Sequence, residues 1–436
     1  MSKQPRSLWQ ETYSPPTFKP LHWGEKTKVL IIGGGIAGIL TAYRLHQAGV
    51  PYILLEQGRI LQGTTAHTTA KITSQHGLLY QKLLRREGMA RARQYLSANE
   101  WAVGEYERLS REYPCDFRAE PHFVYSQKDE NRLKREMDAL AALGFEAEFC
   151  RELPLPIKTM GAVCFPHQAS FHPLKFLGEL ARDLNIRENT HVLELQGTNA
   201  ITERGGVHAE KIIVATHFPF INRHGGYFLR LYQHRSYLMA LSGVKPMEGM
   251  YLDEDPLGMT FRSYKDLLLI GGGGHRTGKE GGNWAELRAF AAAHYPAAKE
   301  EYFWAAQDCM SLDQMPYIGQ YGAHTEELLV ASGFNKWGMT GAMIASRLLA
   351  DRVMGKENEF QALFEPKGRL LRPKLILNAL SSAAGLLNPS PKRCPHLGCA
   401  LKWNKAEHSW DCPCHGSRFS SKGECLNNPA NEDLYH

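Results

Sequence analysis

The residue types best suited to chemistry gather near the end of the chain, in CPHLGCALKWNKAEHSWDCPCHGSRF (394–419). Cys394 and His396 form C-x-H, Cys412 and His415 form C-x-x-H, and fifteen residues separate His396 from Cys412. Two thiolates and two neutral imidazoles on paired loops suit a tetrahedral zinc ion. They equally suit an iron–sulfur cluster with one iron held by sulfur and the other by nitrogen. A plain disulfide knot is the third reading. Five of the nine cysteines (Cys394, Cys399, Cys412, Cys414, Cys425) fall in the last 43 residues, a density that suggests metal binding before a disulfide framework. Of nineteen histidines, only His396 and His415 have ligand spacing.

A second constellation lies near the other end. Gly33, Gly35 and Gly38 form G-x-G-x-x-G after the strand-like run KVLII (28–32). The first glycine permits a tight turn, the second lets a pyrophosphate approach the backbone, and the third lets helix and strand pack closely. An apolar-periodic helix over 36–48 follows, and its N-terminus offers unpaired N–H groups to phosphate. A second strand over 52–55 ends at Glu56, 18 residues after Gly38, where a carboxylate binds a ribose 2′-hydroxyl. The acid favours FAD or NAD over NADP.

Beyond this unit the sequence resembles the glycine/D-amino-acid oxidase family of flavoproteins. The matching stretches are VLIIGGGIAGILTAYRLHQAGVPYILLE, GTTAHTTAKIT (63–73), IIVATHFPF (212–220), LDQMPYIG (312–319) and VASGFNKWGMTGA (330–342). The resemblance implies FAD. It assigns Thr64, Thr65, Thr69 and Lys71 to a loop under the flavin and pyrophosphate, and Val192 to the adenine side. Thr216 would sit at the second crossover, and Gly338 and Met339 at a helix N-terminus facing the isoalloxazine. Without it, the threonines read as a hydroxyl-rich turn and Val192 as core strand. The pattern CPHLGC…CPCHGS resembles a Rieske domain and implies a 2Fe–2S cluster on Cys394, His396, Cys412 and His415. That resemblance also implies a Cys399–Cys414 disulfide between the cluster loops, turns at Gly398 and Gly416, and a Ser417 hydrogen bond to cluster sulfur. The family often has tyrosine where Phe419 stands. Loss of that hydroxyl places the expected potential toward the lower part of a range of roughly −150 to +300 mV. Cys425 reads as a packed thiol.

Flavin chemistry asks the protein for positioning and charge rather than a strong acid–base pair. Arg235 and Arg262 lie on expected substrate-sheet strands, where either is a candidate clamp for a substrate carboxylate. Their alternative is surface arginine. Lys71 and His76 follow the threonine loop and approach the flavin. Tyr232 and Tyr237 are candidate pocket residues, while His217 and Cys309 read as packed side chains. Asp308 and Asp313 are expected to cap turns or interact near the flavin.

These residues need positioning elements. The 436-residue chain is too long for one ordinary core, and 43% hydrophobic residues leave ample apolar surface to bury. The expected class is α/β: an FAD-binding Rossmann-like domain (25–116, 151–226, 312–360) interwoven with an antiparallel-sheet substrate domain (117–150, 227–311). An N-terminal extension (1–24), a linker (361–391) and a small all-β Rieske-type domain (392–436) complete it. Of the net charge of +6, +5 falls within residues 361–393, the linker and its edge, so a nucleic-acid role is not indicated. The longest uncharged run, between Lys28 and Arg44, contains four glycines and is shorter than the roughly 20 residues of a membrane span. With no apolar leader, the expected location is the cytoplasm. The expected function is oxidation of an amine or amino acid by hydride transfer to FAD. Electrons would pass singly to the cluster and then to an external carrier such as a ferredoxin or quinone-linked protein. The alternatives are a reductase fed by a ferredoxin-like donor, and a redox sensor or electron-carrier module with no substrate of its own.

Overall fold

Backbone pairing in the computed structural model, which describes residues 4–366, 390 and 392–434, divides the strands among three sheets. The first has the order Tyr317–Gln320, Leu328–Ser332, Gly205–Val214, Glu25–Ile32, Tyr52–Leu55, Ile186–Arg187, with Val192–Gln196 and Asn199–Thr202 attached through Gly205–Val214. Its central pairs are parallel, as the strand–helix–strand signature requires. Helices Ile36–Gln47 and Gly338–Val353 cover one face. Their inward residues, Ile39, Leu40, Met343 and Leu348 among them, share one core with Val29, Ile31 and Leu54.

The second sheet runs Lys299–Ser311, Leu231–Ser242, Leu267–Arg276, Thr260–Tyr264, Met250–Asp253, Arg118–Ser126, Gly161–Ser170, Lys71–Ile72, with Glu148–Cys150 on Gly161–Ser170. The expected helix within the substrate region is Glu130–Leu143. Asp129 Oδ1 accepts from the Arg132 amide at its start, and Gly144 in left-handed conformation closes it.

Three boundaries differ from expectation. Gly161–Ser170 belongs to the second sheet, because it pairs antiparallel with Arg118–Ser126 along nearly its whole length. The N-terminal extension packs on the body: Ser7 caps a short helix, Leu8–Thr12, whose buried Trp9 donates from Nε1 to the Thr68 carbonyl at 2.8 Å. The start of the expected linker is the helix Gln361–Phe364, anchored by buried Leu363 and Phe364. Residues 367–389 and 391 lie outside the described residues.

The third sheet is a four-stranded antiparallel meander, Lys402–Asn404, Ser409–Asp411, Arg418–Ser420 and Cys425–Asn427. With three residues per strand it has little core beyond Leu401, Phe419, Ala430 and the cysteines. Among the described residues, no helix is long and apolar enough to cross a membrane.

Candidate functional site

Gly33 turns the chain from strand to helix at φ 110°, and a Cβ there would stand 2.7 Å from the Ala215 carbonyl. A Cβ on Gly38 would overlap the Gly33 carbonyl itself. Gly35 caps the helix with no side chain of its own, and Thr65 Oγ1 accepts from the Ile36 amide at 3.1 Å. Glu56 accepts from the amides of Gly34 (2.7 Å) and Gly58 (3.0 Å), and burial raises its carboxyl pKa. Apart from Gly38, every expected cofactor residue lines one cavity of about 840 Å³: Gly33, Gly35, Glu56, Thr64, Thr65, Thr69, Lys71, Val192, Thr216, Gly338 and Met339. This bare-backbone cradle beside an acid, opening onto a long cavity, fits a dinucleotide such as FAD.

The expected catalytic side chains fare differently. Lys71 reaches the cavity from Lys71–Ile72, its Nζ donating to the Tyr251 carbonyl (2.7 Å) and Thr260 Oγ1 (2.5 Å). Burial first, then the Arg262 charge, holds its pKa well below that of an ordinary lysine. His76 also lines the cavity, but both ring nitrogens are engaged, Nδ1 with Tyr95 Oη (2.7 Å) and Nε2 with the Thr73 carbonyl (2.9 Å). Its ring stacks on Trp337 at 4.5 Å, and burial lowers its pKa to about 3. Neither arginine lines the cavity. Arg262 donates to the carbonyls of Thr69 (2.9 Å) and Ala70 (2.7 Å), holding the threonine loop from behind. Arg235 is a buried ion-pair partner of Glu407, in the C-terminal domain.

The cavity instead presents a charged pair. Asp308, on Lys299–Ser311, and Lys336, between Leu328–Ser332 and Gly338–Val353, both line it. Asn335 and Lys336 have positive φ (54° and 71°), a turn fixed by Asn335 Oδ1 accepting from the Ser311 amide at 2.8 Å. Lys336 is exposed toward the cavity it lines. Burial lowers its pKa and raises that of Asp308, and each charge opposes the effect on the other. His234 Nδ1, on the same wall, is buried without a partner. The sequence displayed Lys336 inside VASGFNKWGMTGA, but only the left-handed turn aims it inward.

The two cysteine–histidine loops have matching construction. The Gly398 amide returns to the Cys394 carbonyl (2.8 Å) and the Gly416 amide to the Cys412 carbonyl (3.0 Å), with Gly398 and Gly416 at φ 76° and 87°. Cys399 and Cys414 form a disulfide across the loops. Hydrogen bonding, first from Cys412 and then from Ser417 after burial's opposing effect, holds the Cys394 thiol pKa down. The His396 and His415 rings lie 5.0 Å apart, and the Nδ1 atom of each is buried without a partner. Two orphaned imidazole nitrogens beside two buried thiols are the donor set of a 2Fe–2S centre of mixed ligation. The Cys399 and Cys414 sulfurs also lie near Cys412, but being bonded to each other they offer no thiolate. Cys425 is partly buried, and burial raises its thiol to about 11, as for a packed thiol.

The second loop rests on strands of the cavity wall, through side chains that do not themselves line the cavity. Gln233 Nε2 donates to the His415 carbonyl (3.0 Å), Gln307 Nε2 to the Gly416 carbonyl (2.9 Å), and Arg276 to the Cys414 carbonyl (3.0 Å). Gln307 in turn accepts, through its own carbonyl, from Thr64 of the cofactor loop at 3.0 Å.

The profile of the family described as "FAD dependent oxidoreductase" (DAO) matches residues 28–352, and that of the "Rieske [2Fe-2S] domain" matches 381–435. The chain is 32% identical to a Bacillus subtilis (strain 168) protein named as a Rieske 2Fe-2S iron-sulfur protein, YhfW, over 99% of this chain and 97% of that one. The fold is similar to glycine oxidase from Geobacillus kaustophilus (TM-score 0.67, 18% identity, 80% of this chain and 100% of that chain). It is similar to L-proline dehydrogenase from P. horikoshii as well (TM-score 0.67, 16% identity, 79% and 97%).

Proposed function

Because the chain belongs to the DAO family of FAD-dependent oxidoreductases and carries a Rieske 2Fe–2S domain, we propose that it is a dehydrogenase for an amine or amino acid that hands electrons to an external one-electron carrier. The observation that carries this reading is the seat of the cluster loop on the cavity wall, through Gln233, Gln307 and Arg276. A plain oxidase, which returns electrons to oxygen, has no use for such a connection. When bound, FAD supplies a two-electron acceptor and the cluster a one-electron acceptor.

The chain's own residues do the rest. The backbone at Gly33 and Gly35 and the Glu56 carboxylate hold the dinucleotide. Lys336 offers a cation to a substrate carboxylate, Asp308 an anion to its ammonium group, and His234 Nδ1 an acceptor for a further N–H. Burial lowers the pKa of Lys71, and His76, brought to about 3, adds no positive charge to the cavity. An open cavity with this polar wall supports a small-molecule substrate over a sensor whose flavin face is closed.

The test is anaerobic mixing of the purified protein with a panel of amines and amino acids, following flavin absorbance optically and the reduced cluster by EPR. One compound should bleach the flavin and then produce a Rieske signal. No bleaching by any compound, with both centres filling from reduced ferredoxin, would reverse the direction of flow. Oxygen consumption as fast as carrier reduction would make the protein an oxidase.

A further inference from the structure

Four residues of the C-terminal domain, Leu426, Asn427, Asn428 and Asn431, line the same cavity as Gly33 and Glu56. Two of them reach across to the body with their side chains. Asn428 Nδ2 donates to the carbonyls of Thr216 (2.5 Å) and Phe218 (2.8 Å). Asn431 Nδ2 donates to the carbonyls of Val192 (3.3 Å) and Leu193 (3.4 Å), while its Oδ1 pairs with His191 Nε2 at 2.8 Å. Leu426 stays 48% exposed on the cavity rim.

The segments so gripped are walls of the dinucleotide cavity: 190–192 beside Glu56, and 215–217 beyond the Gly33 turn. The second contains His217 at φ 68°, a left-handed conformation that costs energy in a residue with a Cβ and persists only where surroundings enforce it. Asn428 adds to that enforcement by bridging the carbonyls on either side of His217, beside the turn's own Phe218 amide to Thr216 carbonyl bond (2.8 Å) and Ser332 Oγ on the His217 carbonyl (2.6 Å). Its own carbonyl accepts from Gln233 Nε2 (2.7 Å), which also bonds the His415 carbonyl.

We infer that the C-terminal domain is a component of the FAD site: Asn428 and Asn431 hold the walls at the Glu56 end in the binding shape, so that FAD affinity and docking of the iron–sulfur domain are linked. Linkage is reciprocal. The docked domain tightens FAD, and bound FAD tightens docking. A chain that has lost its flavin thereby loosens the domain carrying its electron exit.

The test uses the full-length protein in two ways. First, FAD affinity is measured by flavin fluorescence in wild type and in Asn428→Ala/Asn431→Ala, with visible circular dichroism confirming that the cluster is retained. The variant should bind FAD ten- to a hundredfold more weakly. Second, hydrogen exchange is followed in wild type before and after the flavin is stripped with bromide and urea. Amides over 425–431 should exchange at least tenfold faster without FAD and recover when it is restored. This second measurement stands even if the variant does not fold. Exchange over 425–431 that ignores FAD overturns the inference, and so does a folded variant with affinity within twofold of wild type.

Discussion

At the scale of single residues, Lys336 and Asp308 are the side chains whose removal should alter substrate handling most. A buried hydrogen bond to a charged partner is worth about 1.5–3 kcal/mol, so Lys336→Met should raise KM for an amino-acid substrate ten- to a hundredfold with a smaller change in flavin reduction at saturation. Stopped-flow reduction against substrate concentration separates the two. The pH profile adds a sign. Carboxylate binding needs protonated Lys336, whose pKa burial lowers, so affinity should fall with rising pH earlier than for an ordinary lysine. Lys336→Arg should restore binding on the alkaline side, since guanidinium stays charged there. A substrate that binds equally well in Lys336→Met carries no carboxylate at this point, and the amino-acid class would give way to simple amines. In the cluster domain the comparable residue is Phe419, which is fully buried in its small core. Phe419→Tyr should raise the cluster potential by adding a donor near ligating sulfur, and a redox titration followed by EPR reads the direction.

At the scale of elements, the clearest dependence is on the turn between Glu25–Ile32 and Ile36–Gln47. A Cβ on Gly38 meets backbone, not a yielding side chain, so helix and strand must separate. Gly38→Ala should cost about 1–3 kcal/mol and yield protein purified largely without FAD; the ratio of flavin absorbance to protein and a thermal melt report both. A Gly38→Ala protein with full flavin content would mean that the close packing is dispensable. This element was legible in the sequence because its chemistry is local: the three glycines shape one turn, and a Cβ on Gly38 would meet Gly33 itself. The cluster loops were legible for the same reason, since each ligand pair sits inside a loop closed on itself. Arg235 was not. Its strand was recognised, but the carboxylate it faces stands 172 residues away in another domain. Lys336 escaped for a different reason, since its orientation follows from a left-handed turn between strand and helix that residue type does not declare. The threonine loop lines the cavity, while its support by Trp9 and Arg262 depends on segments remote in sequence.

At the scale of the molecule, the fold presents a tail too small to stabilise itself fully and a body that supplies part of its support. The strongest joint is Glu407, held between Arg235 of the body and Arg418 of its own domain, with Tyr237 Oη donating to it at 3.0 Å from a strand that lines the cavity. Burial alone would raise this carboxyl, but Arg235 and then Arg418 outweigh it and bring the pKa to about 2. The group is depressed on folding, so its contribution is complete above the ordinary carboxylate range near 4.5 and is lost as pH falls toward 2. The shift corresponds to something on the order of 3 kcal/mol. Glu407→Gln keeps the shape but leaves Arg235 buried without its charge partner, a loss of about 3–5 kcal/mol when such a pair is broken. Arg418 retains Asp411 at 3.0 Å, so the damage falls on the joint more than on the tail's own meander. Glu407→Gln should therefore make the tail separate from the body at lower temperature, splitting one calorimetric transition into two, and should flatten the loss of stability between pH 4.5 and 2. It should also slow reduction of the cluster by substrate while leaving flavin reduction close to wild type, because the ion pair that helps hold the cluster domain against the body is lost. A single transition with wild-type acid sensitivity would show that the joint is held by the glutamine and asparagine contacts alone, with the ion pair contributing nothing to docking.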